Sequence, residues 1–364
     1  MIERIKNIAC FVSPHGFGHA SRMCALIDGL SELHHSLKFH ICTTVPNWFF
    51  ADSLNVDFEY HEIITDIGLV QTDPVNIDHQ RSIDELNLFY PFTEIRLSQA
   101  SALLHQIDAF ACLCDISPLG IQAAKQSKIP AVLIENFTWD WIYHQLGKYQ
   151  PEYLQISDIV KELFHPAFHI RVQPECPTFH KFNQLIGPIA RNPILDRFTI
   201  RNTLGIPMDK PVIFISLGGV DYNYSLKLKN FDGSFHVAVY DNNRLDIPDR
   251  HVTVLSRQSG IRSQDILAAS DLVIGKPGYS TISEIVTNGI PFMYVPRPGF
   301  PESKFLEDYV QNFVPTKSIT QKEFLNGNWV SYVPDLLRST FRVPIKSQNV
   351  LLAESVLNYI ISFK

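Results

Sequence analysis

Gly275-Lys276-Pro277-Gly278-Tyr279-Ser280-Thr281-Ile282-Ser283-Glu284 stands between the apolar run Asp271-Leu272-Val273-Ile274 and the triplet Gly289-Ile290-Pro291. The apolar run has the pattern of a buried strand, and the residues after it open a helix that Gly289 closes. Glycines let the backbone approach a ligand closely, and the first N–H groups of a helix have no internal partner. A strand, a glycine turn and a helix in succession therefore favour a phosphate. Ser280, Glu284 and Asn288 recur at intervals of four with Thr281 beside them, which makes a polar stripe opposite Ile282 and Val286. A carboxylate at Glu284 is placed to accept hydrogen bonds from a ribose. The competing reading makes Thr281-x-x-Glu284 a capping box that starts a helix and holds nothing.

A second turn of this kind follows the first apolar run, Ile8 to Ser13: Pro14-His15-Gly16-Phe17-Gly18-His19-Ala20-Ser21-Arg22. Two such turns, one in each half of the chain, imply a ligand held between two domains. Gly16-x-Gly18-x-x-Ser21 approaches a dinucleotide fingerprint, but the next strand ends in Thr43-Thr44, without the acidic residue that would bind a ribose there. The dinucleotide reading is set aside. His19 falls where a helix begins, and an imidazole there can take a hydroxyl proton if a carboxylate partners it. Asp115, at the end of the run Phe110 to Cys114, is the candidate partner, because it emerges at the carboxyl edge of the same sheet. The alternative is that His15 and His19 only cap the turn and Asp115 caps the next helix.

Composition narrows the function. The chain has 364 residues, enough for two domains, with 45% hydrophobic and 19% charged residues. A formal net charge of −6 argues against a general affinity for nucleic acid or an anionic membrane. No apolar stretch is long enough to span a bilayer, and no secretory leader is expected at the start of the chain. The six cysteines form no Cys-x-x-Cys pair, so free buried thiols and a cytoplasmic location are expected.

Strands are expected at Ile8 to Ser13, Phe39 to Thr43, Ala109 to Cys114, Ala131 to Ile134 and Phe168 to Val172, alternating with amphipathic stretches as in an α/β fold with a mainly parallel sheet. Met23, Leu26, Leu30 and Leu33 lie at helical spacing after the first strand. Gly187 to Pro193 breaks the pattern and divides the chain into 1–190 and 191–345. Strands in the second part are expected at Val212 to Ser216, Phe235 to Val239, Val252 to Leu255, Leu272 to Ile274 and Phe292 to Val295. The segment 346–364 ends in a helix whose Leu352, Val356, Leu357, Ile360 and Ile361 face one way and dock on the body. Ser216-Leu217-Gly218-Gly219 ends a strand and offers backbone N–H groups to a diphosphate, while Arg191 adds charge there or bridges the domains. Trp139 and Asp140, in the aromatic run Asn136 to Tyr143, suit a sugar or other partly apolar acceptor, or else pack between domains.

With these residues in place the chain resembles the GT-B glycosyltransferases, two facing Rossmann-like domains with an interdomain cleft. Gly275 to Glu284 is similar to the donor site of the peptidoglycan N-acetylglucosaminyltransferase and of UDP-glycosyltransferases. The resemblance implies that Glu284 binds the donor ribose and that Gly278, Ser280 and Thr281 lie near the diphosphate, with Gly18, Arg191, Gly218, Gly219 and Lys276 completing the donor set. The chain also resembles the glycosyltransferase-like half of plant L-arabinokinases, through His15 to Arg22, Asp66 to Gln71, Asn136 to Asp140 and Gly275 to Thr281. No ATP-binding glycine/serine loop follows the matched region, so arabinose phosphorylation is not carried over.

The reading is an inverting, metal-independent hexosyl- or N-acetylhexosaminyl-type transferase that moves a sugar from a nucleotide-diphosphate sugar, UDP-sugar first among them, to an unidentified hydroxyl acceptor. In it 1–190 is the acceptor-side domain, carrying His15, Trp139 and Asp140, and 191–345 is the donor-binding domain. His19 acts as base and Asp115 orients it. The donor is a substrate and no cofactor is expected. Metal independence follows from the lack of an Asp-x-Asp motif, with helix N-termini supplying positive potential instead. The rivals are a nucleotide-sugar sensor without turnover, and an epimerase or hydrolase on the same fold.

Overall fold

A parallel strand covered on both faces has no side turned to water, so its sequence is apolar throughout. Ile8, Ala9, Cys10, Phe11 and Val12 are all fully buried, and Ala131 to Glu135 are buried without a break. The computed structural model, which describes residues 6–217, 225–228, 231–240, 244–246, 249–256, 261–339 and 344–363, divides the chain into two units. Unit 1 comprises Met1–Val70, Ile77–Ala190 and Ser347–Lys364, and unit 2 comprises Gln71–Asn76 and Arg191–Lys346. The excursion Gln71–Asn76 has no counterpart in the sequence reading.

Unit 1 is built on a seven-stranded sheet of β1 (Lys6–Val12), β2 (Leu37–Thr43), β3 (Phe58–Glu62), β4 (Ala109–Asp115), β5 (Ala131–Glu135), β6 (Phe168–Val172) and β7 (Gln184–Ile186), in the order β3-β2-β1-β4-β5-β6-β7. The adjacent pairs are parallel. The order reverses between β1 and β4, whose ends meet at Val12 opposite Asp115. Open sheets of this kind bind ligands at such a reversal, outside the carboxyl ends of the strands.

The helix α1 (Phe17–Leu33) follows β1, as α2 (Pro118–Ser127) follows β4, and buries Met23, Leu26 and Leu30 with Cys24 and Ile27, whereas Leu33 is 41% exposed, contrary to its spacing. The helix α5 (Asn349–Ser362) lies against α1, where a Cβ on Gly29 would come 3.0 Å from that of Ala353, and its Leu352, Ala353, Val356 and Ile360 join the same core. Ile361 is exposed, so the face is narrower than expected. The six cysteines are buried thiols that form no disulfide.

Unit 2 repeats the arrangement with β8 (Val212–Ser216), β9 (His236–Tyr240), β10 (Val252–Leu255), β11 (Leu272–Gly275), β12 (Phe292–Tyr294) and β13 (Thr316–Ser318), ordered β10-β9-β8-β11-β12-β13. These pairs are parallel too. Val212 and Phe214 enter one core while Ile213 and Ile215 enter another, the period-2 alternation of a strand with both faces covered. The reversal lies between β8 and β11, where Ser216 stands opposite Gly275. The helix α4 (Tyr279–Asn288) leaves β11 there and ends at Gly289 in the left-handed conformation, φ 68°. Among the described residues no helix is long and apolar enough to cross a membrane.

Candidate functional site

In unit 1 the chemistry gathers at the β1/β4 reversal. Gly16, with φ 78°, turns the chain into α1 and leaves that helix without a side-chain cap, and Gly18 sits in its first turn. One turn in, His19 is 5% exposed, and its Nδ1 lies 2.8 Å from Oδ1 of Asp115, which is fully buried. Asp115 is also forked by Arg22, whose Nε and Nη2 each lie 2.7 Å from one carboxylate oxygen. Burial pushes the Asp115 carboxyl up, but the Arg22 charge and the His19 hydrogen bond outweigh that and hold it below the ordinary carboxylate value. Asp115 is therefore ionised, His19 donates Nδ1–H to it, and Nε2 is left with the lone pair that can accept a proton. The 3.4 Å approach of Arg22 Nη2 to Nδ1 is then a contact between two donors.

The remaining groups frame the two histidines. His15 accepts from the backbone N–H of Leu69 through Nδ1, at 3.3 Å, and packs on Gly68, where any Cβ would come within 2.8 Å of its ring. Trp139 meets His15 edge-on at 5.1 Å and stacks on Tyr143 at 5.7 Å. It is 1% exposed, so it is a packed wall behind the histidines and not the open platform expected for an acceptor. Asp140 departs from its expected role as well: it is fully buried at the start of α3 (Trp139–Leu146), and its Oδ2 lies 2.9 Å from Nε2 of His180. Phe137 contacts the His19 ring at 5.9 Å. Asp66 accepts from Ser13 Oγ at 2.9 Å, and burial pushes its carboxyl up to about 8, against the hydrogen bond from Ser13. It is neutral at pH 7.

In unit 2 the N-cap of α4 is Gly278, so Thr281 lies in the third helical position and the capping-box reading fails. No side chain caps this helix start, and a Cβ at Gly278 would meet nothing within 4 Å. Ser280 and Thr281, both part-buried, follow on its first turn. Gly275 is needed for a different reason, since a Cβ there would fall 2.4 Å from the carbonyl oxygen of Ser216. Glu284 is 4% exposed and accepts from Nε of Arg191 at 2.9 Å, while Nη2 of Arg191 donates to Ser263 Oγ at 2.9 Å. Arg191, expected at the phosphates or across the domains, is thus engaged with Glu284 inside unit 2.

Lys276 is part-buried; desolvation, then the neighbouring Arg297 charge, bring its ammonium down to about 7 against the pull of Glu302 and Asp73. The Arg297 guanidinium lies over the Phe300 ring at 3.3 Å, and its buried Nε has no partner among the described residues. Gly218 and Gly219 lie outside the described residues.

Arg22, Asp66 and Arg297 were not singled out by the sequence. Arg22 had a signal, three residues after His19 and so on the same helix face. Arg297 had one in its place just beyond the end of β12, on the sheet's carboxyl edge. Asp66 had only its place at the head of the segment Asp66 to Gln71, and its partner Ser13, 53 residues away, had no local signal.

No family model matches the chain. It is 28% identical over 334 residues to an L-arabinokinase of Arabidopsis thaliana, a match covering 89% of this chain and 31% of that protein. The chain thus spans about a third of that relative's length. Among solved structures it is similar to a UDP-glucosyltransferase from Polygonum tinctorium capable of glucosylating indoxyl, with TM-score 0.59, 12% identity and 99% and 94% of the two chains covered. It is similar also to a UDP-glucose:anthocyanidin 3-O-glucosyltransferase in complex with UDP (0.60, 12%, 99% and 95%) and to the glycosyltransferase VinC in complex with dTDP (0.57, 11%, 98% and 95%). The fold is that of the GT-B glycosyltransferases.

Proposed function

We propose that this protein is a glycosyltransferase that moves a sugar from a nucleotide-diphosphate sugar, a UDP-sugar first among candidates, to a hydroxyl acceptor with inversion. The observation that carries the proposal is the buried His19–Asp115 pair at the β1/β4 reversal, with Nε2 of His19 left to take a proton. In this reading His19 Nε2 removes the acceptor hydroxyl proton as the oxygen attacks the anomeric carbon. The bond from that carbon to the diphosphate breaks, and the nucleoside diphosphate leaves. Asp115 fixes the imidazole and balances its developing charge. Arg22, by holding both Asp115 oxygens, keeps that carboxylate ionised so that the proton stays on the ring.

Unit 2 supplies the donor contacts. The uncapped N-terminus of α4 and the Arg297 guanidinium suit a diphosphate, whose charge would also draw a proton onto Lys276, and Glu284, oriented by Arg191, suits the ribose. With these groups meeting the negative charge, no bridging metal is required, and turnover survives chelator; loss in EDTA restored by Mn²⁺ would contradict that. Similarity to UDP- and dTDP-bound glycosyltransferases supports the choice of ligand class. A thermal-shift panel of nucleotide sugars tests the proposal. A ligand at about 100 times its Kd adds about 2.7 kcal/mol of stability, so the true donor raises Tm visibly. A panel in which neither UDP- nor dTDP-sugars raise Tm would overturn the donor assignment.

A further inference from the structure

Away from the groups assigned to donor and base, β2 and β3 bring three ligand-type side chains together. The strands pair parallel with His40 opposite Glu59 and Cys42 opposite His61. Residues two apart on a strand share a face, so Glu59 and His61 emerge on the same side of β3. Nδ1 of His40 lies 3.1 Å from Nε2 of His61 and 3.4 Å from Oε2 of Glu59, and the three ligand atoms fall within 4.8 Å of one another. The rings stack at 5.4 Å and 24°.

We propose that His40, Glu59 and His61 form a zinc-type divalent cation site that clips the edge strand β3 onto β2. Two ligand atoms on a tetrahedral zinc, each about 2.0–2.1 Å from the metal, lie roughly 3.3 Å apart, close to the 3.1 and 3.4 Å from His40 Nδ1 to the other two donors. Two imidazoles and one carboxylate suit zinc, whereas magnesium and calcium prefer a cage of oxygens. The two imidazoles supply nitrogen lone pairs and Glu59 a carboxylate oxygen, a donor set that a divalent cation can gather. His40 is buried and Glu59 exposed, so the site opens to solvent on the Glu59 side, where water completes the coordination.

The clip also has a place in the fold. Beyond Glu62, where β3 ends, the chain reaches Thr65, which donates to the Val12 carbonyl at 2.7 Å, and Asp66, which accepts from Ser13. Fixing β3 steadies the segment that closes over the end of β1.

The test uses the full chain without a histidine tag, stripped by dialysis against chelator and titrated with Zn²⁺ in a calorimeter, with Mg²⁺ as the control. The expected result is one equivalent of Zn²⁺ bound at micromolar Kd or tighter, no response to Mg²⁺, and a rise in Tm with Zn²⁺. His61→Ala and Glu59→Gln, both on the open side, should keep the native circular dichroism, weaken binding at least about tenfold and abolish the Tm rise. No Zn²⁺ binding to the wild type would overturn the proposal. So would binding and Tm shift unchanged in both folded variants, which would place the metal on other histidines.

Discussion

Asp66 shows how one residue can set a pH dependence of the whole molecule. Its folded value of about 8 lies well above the roughly 3.9 of an unfolded aspartate, because burial disfavours the anion. The folded state therefore binds more protons than the unfolded state between these values, and this contribution to stability falls as pH rises through the window. The slope from one such group reaches about 1.4 kcal/mol per pH unit. Urea unfolding from pH 5 to pH 8 should show this decline in the wild type and a flatter profile in Asp66→Asn. Parallel profiles would mean that Asp66 is ionised in the fold.

Glu284 is a second case in which the partner decides the experiment. Removing its carboxylate takes away the Nε partner of the buried Arg191, so Glu284→Ala should cost stability as well as affinity, about 1–3 kcal/mol. Glu284→Gln keeps the shape and a hydrogen-bond acceptor. It should weaken donor binding by about 1.5–3 kcal/mol, as measured by calorimetry on the folded protein. Unchanged affinity in Glu284→Gln would confine Glu284 to its pairing with Arg191.

At the scale of elements, the turn from β11 into α4 separates two uses of glycine. Gly275 is required by the fold, since its Cβ would strike the β8 carbonyl of Ser216 at 2.4 Å. Gly275→Ala should destabilise by about 1–3 kcal/mol or more, read by denaturant unfolding. Gly278 has open space around it and φ −135°, so Gly278→Ala should fold normally and lose donor affinity through the methyl group at the helix start. Equal stability in Gly275→Ala, or unchanged donor affinity in Gly278→Ala, would break the distinction.

The same elements show what the sequence could reveal. Interior strands such as Ala131–Glu135 and Val212–Ser216 are legible because burial on both faces makes them nearly continuous apolar runs. The edge strands β3, β7 and β13 are not: Phe-Glu-Tyr-His-Glu, Gln-Leu-Ile and Thr-Lys-Ser are short or polar, and pairing on one side alone holds them. The glycine turns are legible because strand, turn and helix signals are contiguous. The partners of the site residues are less so. Arg22 on Asp115 spans 93 residues and Arg191 on Glu284 spans 93, distances across which no local pattern reaches. Trp139, which the sequence leaves open between a ligand surface and packing, is used by the fold as packing.

At the scale of the whole molecule, two sheets with the same strand order each gather polar groups at the reversal: His19 and its carboxylate partner Asp115 in unit 1, the uncapped start of α4 and Glu284 in unit 2. Such a division of labour is what transfer from a nucleotide sugar to an acceptor demands. Asp115→Asn is a poor probe of it, because the change disturbs Arg22 as well as His19. His19 itself is the direct probe. Once the thermal-shift panel has given the donor, nucleoside diphosphate release should be followed in the wild type, His19→Gln and His15→Ala, with donor affinity measured alongside. His19→Gln should lower turnover by roughly 10²-fold or more with donor affinity nearly unchanged, and His15→Ala should cost less. Wild-type turnover in His19→Gln would contradict the assignment of His19 as base.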